Sequence, residues 1–430
     1  MIYEISQKSG KRLPVTRKEI NPILRKRAGF FYGYFVVGAS LLIMSTMWAV
    51  YYAFGVFFKP VLNEFGWTKA MTSGAFSLAA MTNGILTVAM GGLTDKVGPR
   101  MVMTVCGLFL GLGFMLMSRI SNVFHLYLFY GIFVGAGMSG SFIPLTSTVA
   151  RWFFKRRGLM TGIVAAGSGI GALIGPPVAS RLIPVYGWRM SYLILGGITL
   201  LTVVLSAQFM KRDPAQVGQM PYGETQIDQR GLNPRVEGLS LREAICSPQF
   251  WVFFTTGFCY GYCVFAIMVH IAPHAIESGV SAMGAANILA TIGGFAILGK
   301  VLLGKLGDIV GNRRTLMLGF ILTSVSLTGL VPAKTGWMLF LISGLFGFAY
   351  GGIAVSHSPL VAELFGLRSH GLIFGVFAIS VGAGGAMGPL LTGYLFDVKN
   401  SYQMAFLLCA LISLTGILFA AFLKQSRHTK

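Results

Sequence analysis

Charge is what this sequence has least of. Only 11% of its 430 residues are Asp, Glu, Lys or Arg, against roughly 25% in an ordinary globular chain. A water-facing surface cannot be built from so few, so a soluble protein is excluded. Cysteine is sparse too, at five residues. All lie in apolar runs or on the basic side of the chain, and they imply no disulfide framework. Cys259 and Cys263 stand four apart and read as small packing residues rather than a metal pair. No Gly-x-x-x-x-Gly-Lys-Ser/Thr loop occurs, which excludes ATP-driven work. Nor is there a nucleophile–base or metal-ligand spacing, so the expectation is no enzyme, no metal and no cofactor. No secretory signal is expected, because the apolar run after the basic tail is too long for one.

Apolar residues fill the space, at 54% with a mean hydropathy of +0.72. They fall into twelve runs: 30–58, 70–93, 101–118, 124–149, 158–184, 190–210, 248–275, 282–306, 315–332, 336–361, 371–396 and 402–423. Each is long enough for a helix to cross the roughly 30 Å hydrocarbon core. None shows the period-two alternation of a barrel strand. The expected class is an all-α membrane protein with twelve transmembrane helices.

The net charge of +21 is topological. Of 34 Lys and Arg, 26 fall on the side carrying both termini and seven on the other; the last, Lys300, lies inside a run. By the positive-inside rule both termini are cytoplasmic and the protein is multi-pass in the cell's inner, plasma membrane. Anionic lipid is the partner this charge suits. Nucleic-acid binding would need a basic face with stacking groups, and none is present. Little chain is left outside the spans for a receptor's signalling tail.

The chain repeats itself. Gly91, Leu93, Asp95, Gly98 and Arg100 recur as Gly304, Leu306, Asp308, Gly311 and Arg313, at a constant offset of 213. The same offset carries Gly158, Leu159, Gly162, Gly171, Gly175 and Pro176 onto Gly371, Leu372, Gly375, Gly384, Gly388 and Pro389. A duplicated six-span unit follows, with a basic tail (1–29), a first bundle (30–210), a linker (211–247), a second bundle (248–423) and a short tail (424–430). Ser240 and Glu243 have the spacing of a capping box, so a short helix should lead into span 7. Two six-helix halves about a central cavity suit alternating access.

The Gly-x-Leu-x-Asp-x-x-Gly-x-Arg loops resemble the cytoplasmic signature of the major facilitator superfamily. That resemblance covers 30–423 and implies the fold of two pseudo-symmetric six-helix halves, functional as a monomer. Asp95, Arg100, Asp308 and Arg313 would then form a latch biasing one conformation against another; the alternative is a purely topogenic loop. Trp152-Phe153-Phe154-Lys155-Arg156-Arg157-Gly158, with Gly162 and Ala166-Gly167-Ser168-x-x-Gly171, resembles the signature of monocarboxylate transporters and their bacterial oxalate/formate antiporter relatives. The 243–251 segment and His270-Ile271-x-Pro273-His274 are similar to that branch as well. It implies a small carboxylate as substrate, a proton as frequent co-substrate and a proton gradient as driving force. Exchange of organic anions without net proton movement is the alternative.

This chain departs from the branch in instructive places. The lysine that animal members carry late in span 1 is absent, as is the span-11 lysine of the oxalate/formate branch. Their span-8 Asp and Arg positions hold Ala296 and Lys300. Lys300 is thus the one intramembrane cation, about 12 Å along a helix from Asp308, at an insertion cost of about 2.5–3.5 kcal/mol. Its stem can snorkel to the cytoplasm, but depth and family position favour a substrate anion. His270 is a proton carrier, a hydrogen-bond donor or simply an interfacial histidine. Tyr130 and Tyr350 can reach a carboxylate from opposite halves. No acidic residue lies deep in a span, which argues against a carboxylate relay.

Overall fold

The computed structural model describes residues 31–223, 238–333, 335–366 and 368–423. The two basic tails, Lys334 and the middle of the linker lie outside the described residues. Among the described residues twelve helices cross the fold: α1 Gly33–Phe65, α2 Lys69–Val97, α3 Pro99–Met117, α4 Val123–Trp152, α5 and α6 within Arg157–Ala207, α7 Pro248–Glu277, α8 Ala282–Val310, α9 Asn312–Leu330, α10 Gly336–Phe365, α11 His370–Lys399 and α12 Gln403–Phe422.

Arg157–Ala207 has 51 residues, about 77 Å of helix, far more than one bilayer can take. It folds at Gly187, whose φ of 75° suits glycine alone, leaving α5 at 157–186 and α6 at 188–207. α9 is the least apolar of the twelve, because it opens on Asn312-Arg313-Arg314 and carries Thr and Ser along its length. α4 is not regular either. Tyr127–Val134 is wound as π-helix, and the chain breaks near 139–142 before resuming at Ile143.

Helix ends run past the expected limits where a span meets charge. The signature loop expected between 93 and 101 is helical to Val97, so only Gly98 (φ 88°) turns the chain into α3. Its repeat does the same, with α8 reaching Val310 and Gly311 (φ 96°) making the turn. A hydropathy reading stops at the first charged residue; the helix does not, because an amphipathic last turn is stable at the interface.

Repetition reaches individual contacts. A Cβ on Gly171 would lie 2.6 Å from both Ser45 O and Ala49 N of α1; on Gly384 it would lie 2.1 Å from Phe258 O and 2.7 Å from Tyr262 N of α7. Gly175 meets Ala49 O at 2.1 Å and Gly388 meets Tyr262 O at 2.3 Å. Every residue in the second set stands 213 after its counterpart. In each half, glycines bring one helix backbone to backbone with another, the packing that replaces hydrophobic driving force in lipid.

Call the end of the bundle that holds the linker the near end, and the opposite end the far end. Between the halves α1 packs on α7, α2 on α11 and α5 on α8. The linker is anchored to both halves at the near end. Trp152, fully buried, donates its indole N–H to Lys211 O at 2.9 Å, and Trp152 O accepts from Tyr222 N at 2.8 Å. Phe365 O, 213 after Trp152, accepts from Leu239 N at 2.8 Å. The capping box forms as expected: Ser240 accepts from Glu243 N, and Glu243 accepts from Ser240 N at 2.7 Å. That backbone N–H holds the Glu243 carboxyl below its usual range. The helix it starts, Leu241–Cys246, leads into α7.

Candidate functional site

Lys300 sits ten residues before the near end of α8 and crosses to the other half. Its Nζ donates to Ser168 Oγ at 2.6 Å and to Ala165 O at 3.0 Å, both on α5. Ser168 Oγ in turn donates to Ala165 O at 3.0 Å, closing a triangle. Around it the α5–α8 contact is made of small or apolar groups, Gly169, Ala172, Gly293 and Ile297. Two neutral oxygens therefore meet a full positive charge, and an ammonium has three N–H donors. One N–H is left without a protein acceptor among the described residues.

The Ala-Gly-Ser motif explains the geometry. Gly167 faces α1 at 3.1 Å and Gly169 faces Ile297 and Gly293 of α8. Flanked by these two small residues, Ser168 lies in the seam where α5 meets the other half.

Tyr350 on α10 is buried, and its hydroxyl lies beside that of Tyr52 on α1 without closing a hydrogen bond. Tyr260 of α7 approaches the same pair, and its ring stands 5.3 Å from that of His357. Trp48, one turn before Tyr52, packs against it with ring centres 5.0 Å apart and planes tilted by 40°, and leaves its indole N–H unpartnered. Trp48 Nε1, Tyr350 OH and His357 Nε2 are buried polar atoms without a protein partner, and such atoms call for a specific reason. Of this group the sequence points to Tyr350. Trp48 and Tyr52 carry a signal in the sequence as well: they stand four apart and share one face of α1.

Tyr130 and His270 sit elsewhere. The Tyr130 hydroxyl donates to Tyr51 O at 3.2 Å, with its ring packed against those of Phe54 and Phe76. Its polar atom is spent within the first half. His270 lies 22 residues into α7, about 33 Å from the near end, whereas Lys300 is about 15 Å from it. Its Nε2 is 2.9 Å from Pro389 O and its Nδ1 3.3 Å from Tyr402 OH. The structure thus brings Lys300 to α5, Tyr350 to Tyr52, and His270 to the far end.

Of the four residues expected to form a latch, three bond within their own half in this conformation. Asp95 Oδ1 takes Arg151 Nη2 at 2.5 Å, and Arg151 also reaches Asp213 at 3.6 Å. Arg100 donates to Gln208 Oε1 at 2.7 Å. Arg313 donates to the carbonyls of Ala420 and Ala421 at the end of α12. Asp308 has no ion pair among the described residues. No group of three His, Cys, Asp or Glu side chains among the described residues is arranged to hold a metal.

A family model for the Major Facilitator Superfamily matches residues 39–301 and 279–430. Among curated proteins, the chain is 29% identical over 400 residues to monocarboxylate transporter 11 of Homo sapiens, covering 90% of this chain and 81% of that one. It is 27% identical over 400 residues to monocarboxylate transporter 13 of Rattus norvegicus, covering 90% and 87%. An uncharacterized MFS-type transporter, YhjX of Escherichia coli (strain K12), is 27% identical over 314 residues, covering 72% and 75%. Among solved structures, a bacterial homolog of the human lysosomal transporter Spinster, inward-facing and unoccupied, superposes with a TM-score of 0.68 at 16% identity, over 91% of this chain and 95% of that one.

Proposed function

Because the chain belongs to the Major Facilitator Superfamily, and is therefore a multi-pass membrane transporter, we propose that it carries a small monocarboxylate with a proton by alternating access. The observation that carries this reading is Lys300. It is the one lysine or arginine deep in a span, held by neutral oxygens from the opposite half with one donor to spare. A lone cation matches a monoanion; a dicarboxylate would bring a second charge with nothing to meet it. The monocarboxylate transporters to which the chain is similar support the same cargo class. Tyr350, with Tyr52 and Trp48, supplies buried donors for the rest of the cargo. The latch formed by Asp95, Arg100, Asp308 and Arg313 biases the two conformations from the near end. The protein works as a monomer in the plasma membrane.

Uptake into proteoliposomes across a panel of carboxylates tests this. Monocarboxylates should compete with one another at least tenfold better than dicarboxylates of equal length, and far-side acid should speed uptake. Equal competition by dicarboxylates would overturn the single-charge argument. Should uptake ignore the pH gradient and require a carboxylate inside, the protein is an exchanger instead.

The near end is cytoplasmic in this reading, because 26 of 34 basic residues fall there. Reporters that are active only in the cytoplasm, fused after Arg212 and after Lys430, should both be active. A periplasmic signal at either position would reject the orientation.

A further inference from the structure

The hydrogen bonds and ion pairs that join the two halves among the described residues fall in two places: Lys300, and a charged knot at the far end. Lys69, at the first turn of α2, pairs with Glu277 at the last turn of α7. Its side chain is 11% exposed and that of Glu277 34%. The ammonium also lies 3.0 Å from the ring centre of Phe396 and 4.6 Å from that of Tyr402. Asp397, at the end of α11, accepts from Lys69 N at 2.9 Å and from Ala70 N at 2.8 Å. Thr68 takes Met71 N at 3.1 Å. Three of the four N–H groups that a helix start leaves free are thus satisfied, two of them by a carboxylate from the opposite half. The other far-side pair, Arg189 with Glu64, stays within one half.

We propose that Lys69, Glu277 and Asp397 form a proton-operated gate, with the proton as its ligand and far-side acid as the signal that opens it. The cation and the helix N-terminus belong to one half, both carboxylates to the other. Separating the far ends must break every one of these bonds. Protonating Glu277 or Asp397 removes the charge that holds Lys69 and the positive end of α2. A buried lysine left without its partner then favours a hydrated, open far end. The charged and titratable groups facing the knot are Lys59 on α1, Lys69 on α2, His270, His274 and Glu277 on α7, Asp397 on α11 and Tyr402 on α12. Lys59 adds a second positive charge beside Lys69, so loss of one carboxylate charge leaves the cluster repelling itself.

The gate rests on alternating access but not on the identity of the cargo, and its test needs no substrate. Ser73 lies one turn behind Lys69, fully buried. A Ser73→Cys probe in sealed vesicles is attacked by an impermeant thiol reagent from the far side only when the gate opens. Four of the native cysteines are buried and Cys246 lies at the near end, so none competes. Rates are normalised to a cysteine at exposed Tyr186, which corrects for thiol ionisation.

Lowering the far-side pH from about 7.5 to about 4, into the range where free Asp and Glu carboxyls take up protons, should raise the normalised rate about fivefold. Asp397→Asn or Glu277→Gln should raise it to a similar degree at neutral pH, and the double variant should respond little to acid. A rate that acid leaves unchanged in the otherwise unaltered protein overturns the gate, whether or not the variants fold. Loss of carboxylate binding in Lys300→Ala, alongside an acid-insensitive gate, would reject the gate and keep the cargo site. The reverse pair of results would keep the gate and reject the cargo site.

Discussion

Lys300→Ala should all but abolish specific carboxylate binding, weakening it by about thirtyfold to a few thousandfold. Removing one member of a buried, hydrogen-bonded charge pair costs about 2–5 kcal/mol, and every 1.4 kcal/mol is tenfold. Without the ammonium, dehydration of the anion is opposed by no charge in the site. Equilibrium binding of a labelled monocarboxylate to the purified protein checks this directly. Lys300→Arg should keep the charge and most of the binding, although a planar fork does not reproduce the geometry of an ammonium held by Ser168 Oγ and Ala165 O. Affinity like the unaltered protein's in Lys300→Ala would mean that the lysine only ties α8 to α5. Cargo recognition would then pass to Trp48, Tyr52 and Tyr350.

Folding should be most sensitive at the repeated glycines. Gly384→Ala places a methyl group 2.1 Å from Phe258 O, and Gly171→Ala places one 2.6 Å from Ala49 N. Both obstacles are helix backbone, which cannot swing aside like a long side chain. Overpacking of this kind costs about 1–3 kcal/mol and occasionally more, against the roughly 0.5–1 kcal/mol that alanine gains over glycine in a helix. Each variant should lose monodisperse protein on gentle heating well before the unaltered chain. Gly158→Ala and Gly371→Ala meet nothing within 4 Å and should be neutral or slightly stabilising. If all four behave alike, close helix approach is not what these glycines provide.

Much of the fold was legible because it is written twice. The offset of 213 predicted two halves, and the structure repeats it in the contacts of Gly171 and Gly384 and in the turns at Gly98 and Gly311. The capping box at Ser240 and Glu243 was legible because both partners lie three residues apart. What escaped depends on contacts across the chain. Lys69 counted only as a far-side charge, since Glu277 and Asp397 stand 208 and 328 residues away and no local pattern links them. The π-wound stretch of α4 escaped because its residues are uniformly apolar and carry no phase. Tyr130 and Tyr350 looked equivalent as lone tyrosines in spans; burial and neighbours separate them, since one hydroxyl is bound to a backbone carbonyl and the other is not.

The anchoring of the linker has a practical corollary. Trp152 O and Phe365 O each accept one main-chain N–H from it, and a main-chain bond is blind to side-chain identity. The two anchors differ in sense, parallel at Tyr222 and antiparallel at Gly238, but both hold the linker by its main chain. Lengthening the chain between them costs only about 0.6 kcal/mol for each doubling. For anyone wishing to graft a fluorescent reporter or a crystallisation chaperone onto this carrier, an insertion between Gly223 and Gly238 leaves the main-chain anchors at Tyr222 and Leu239 in place.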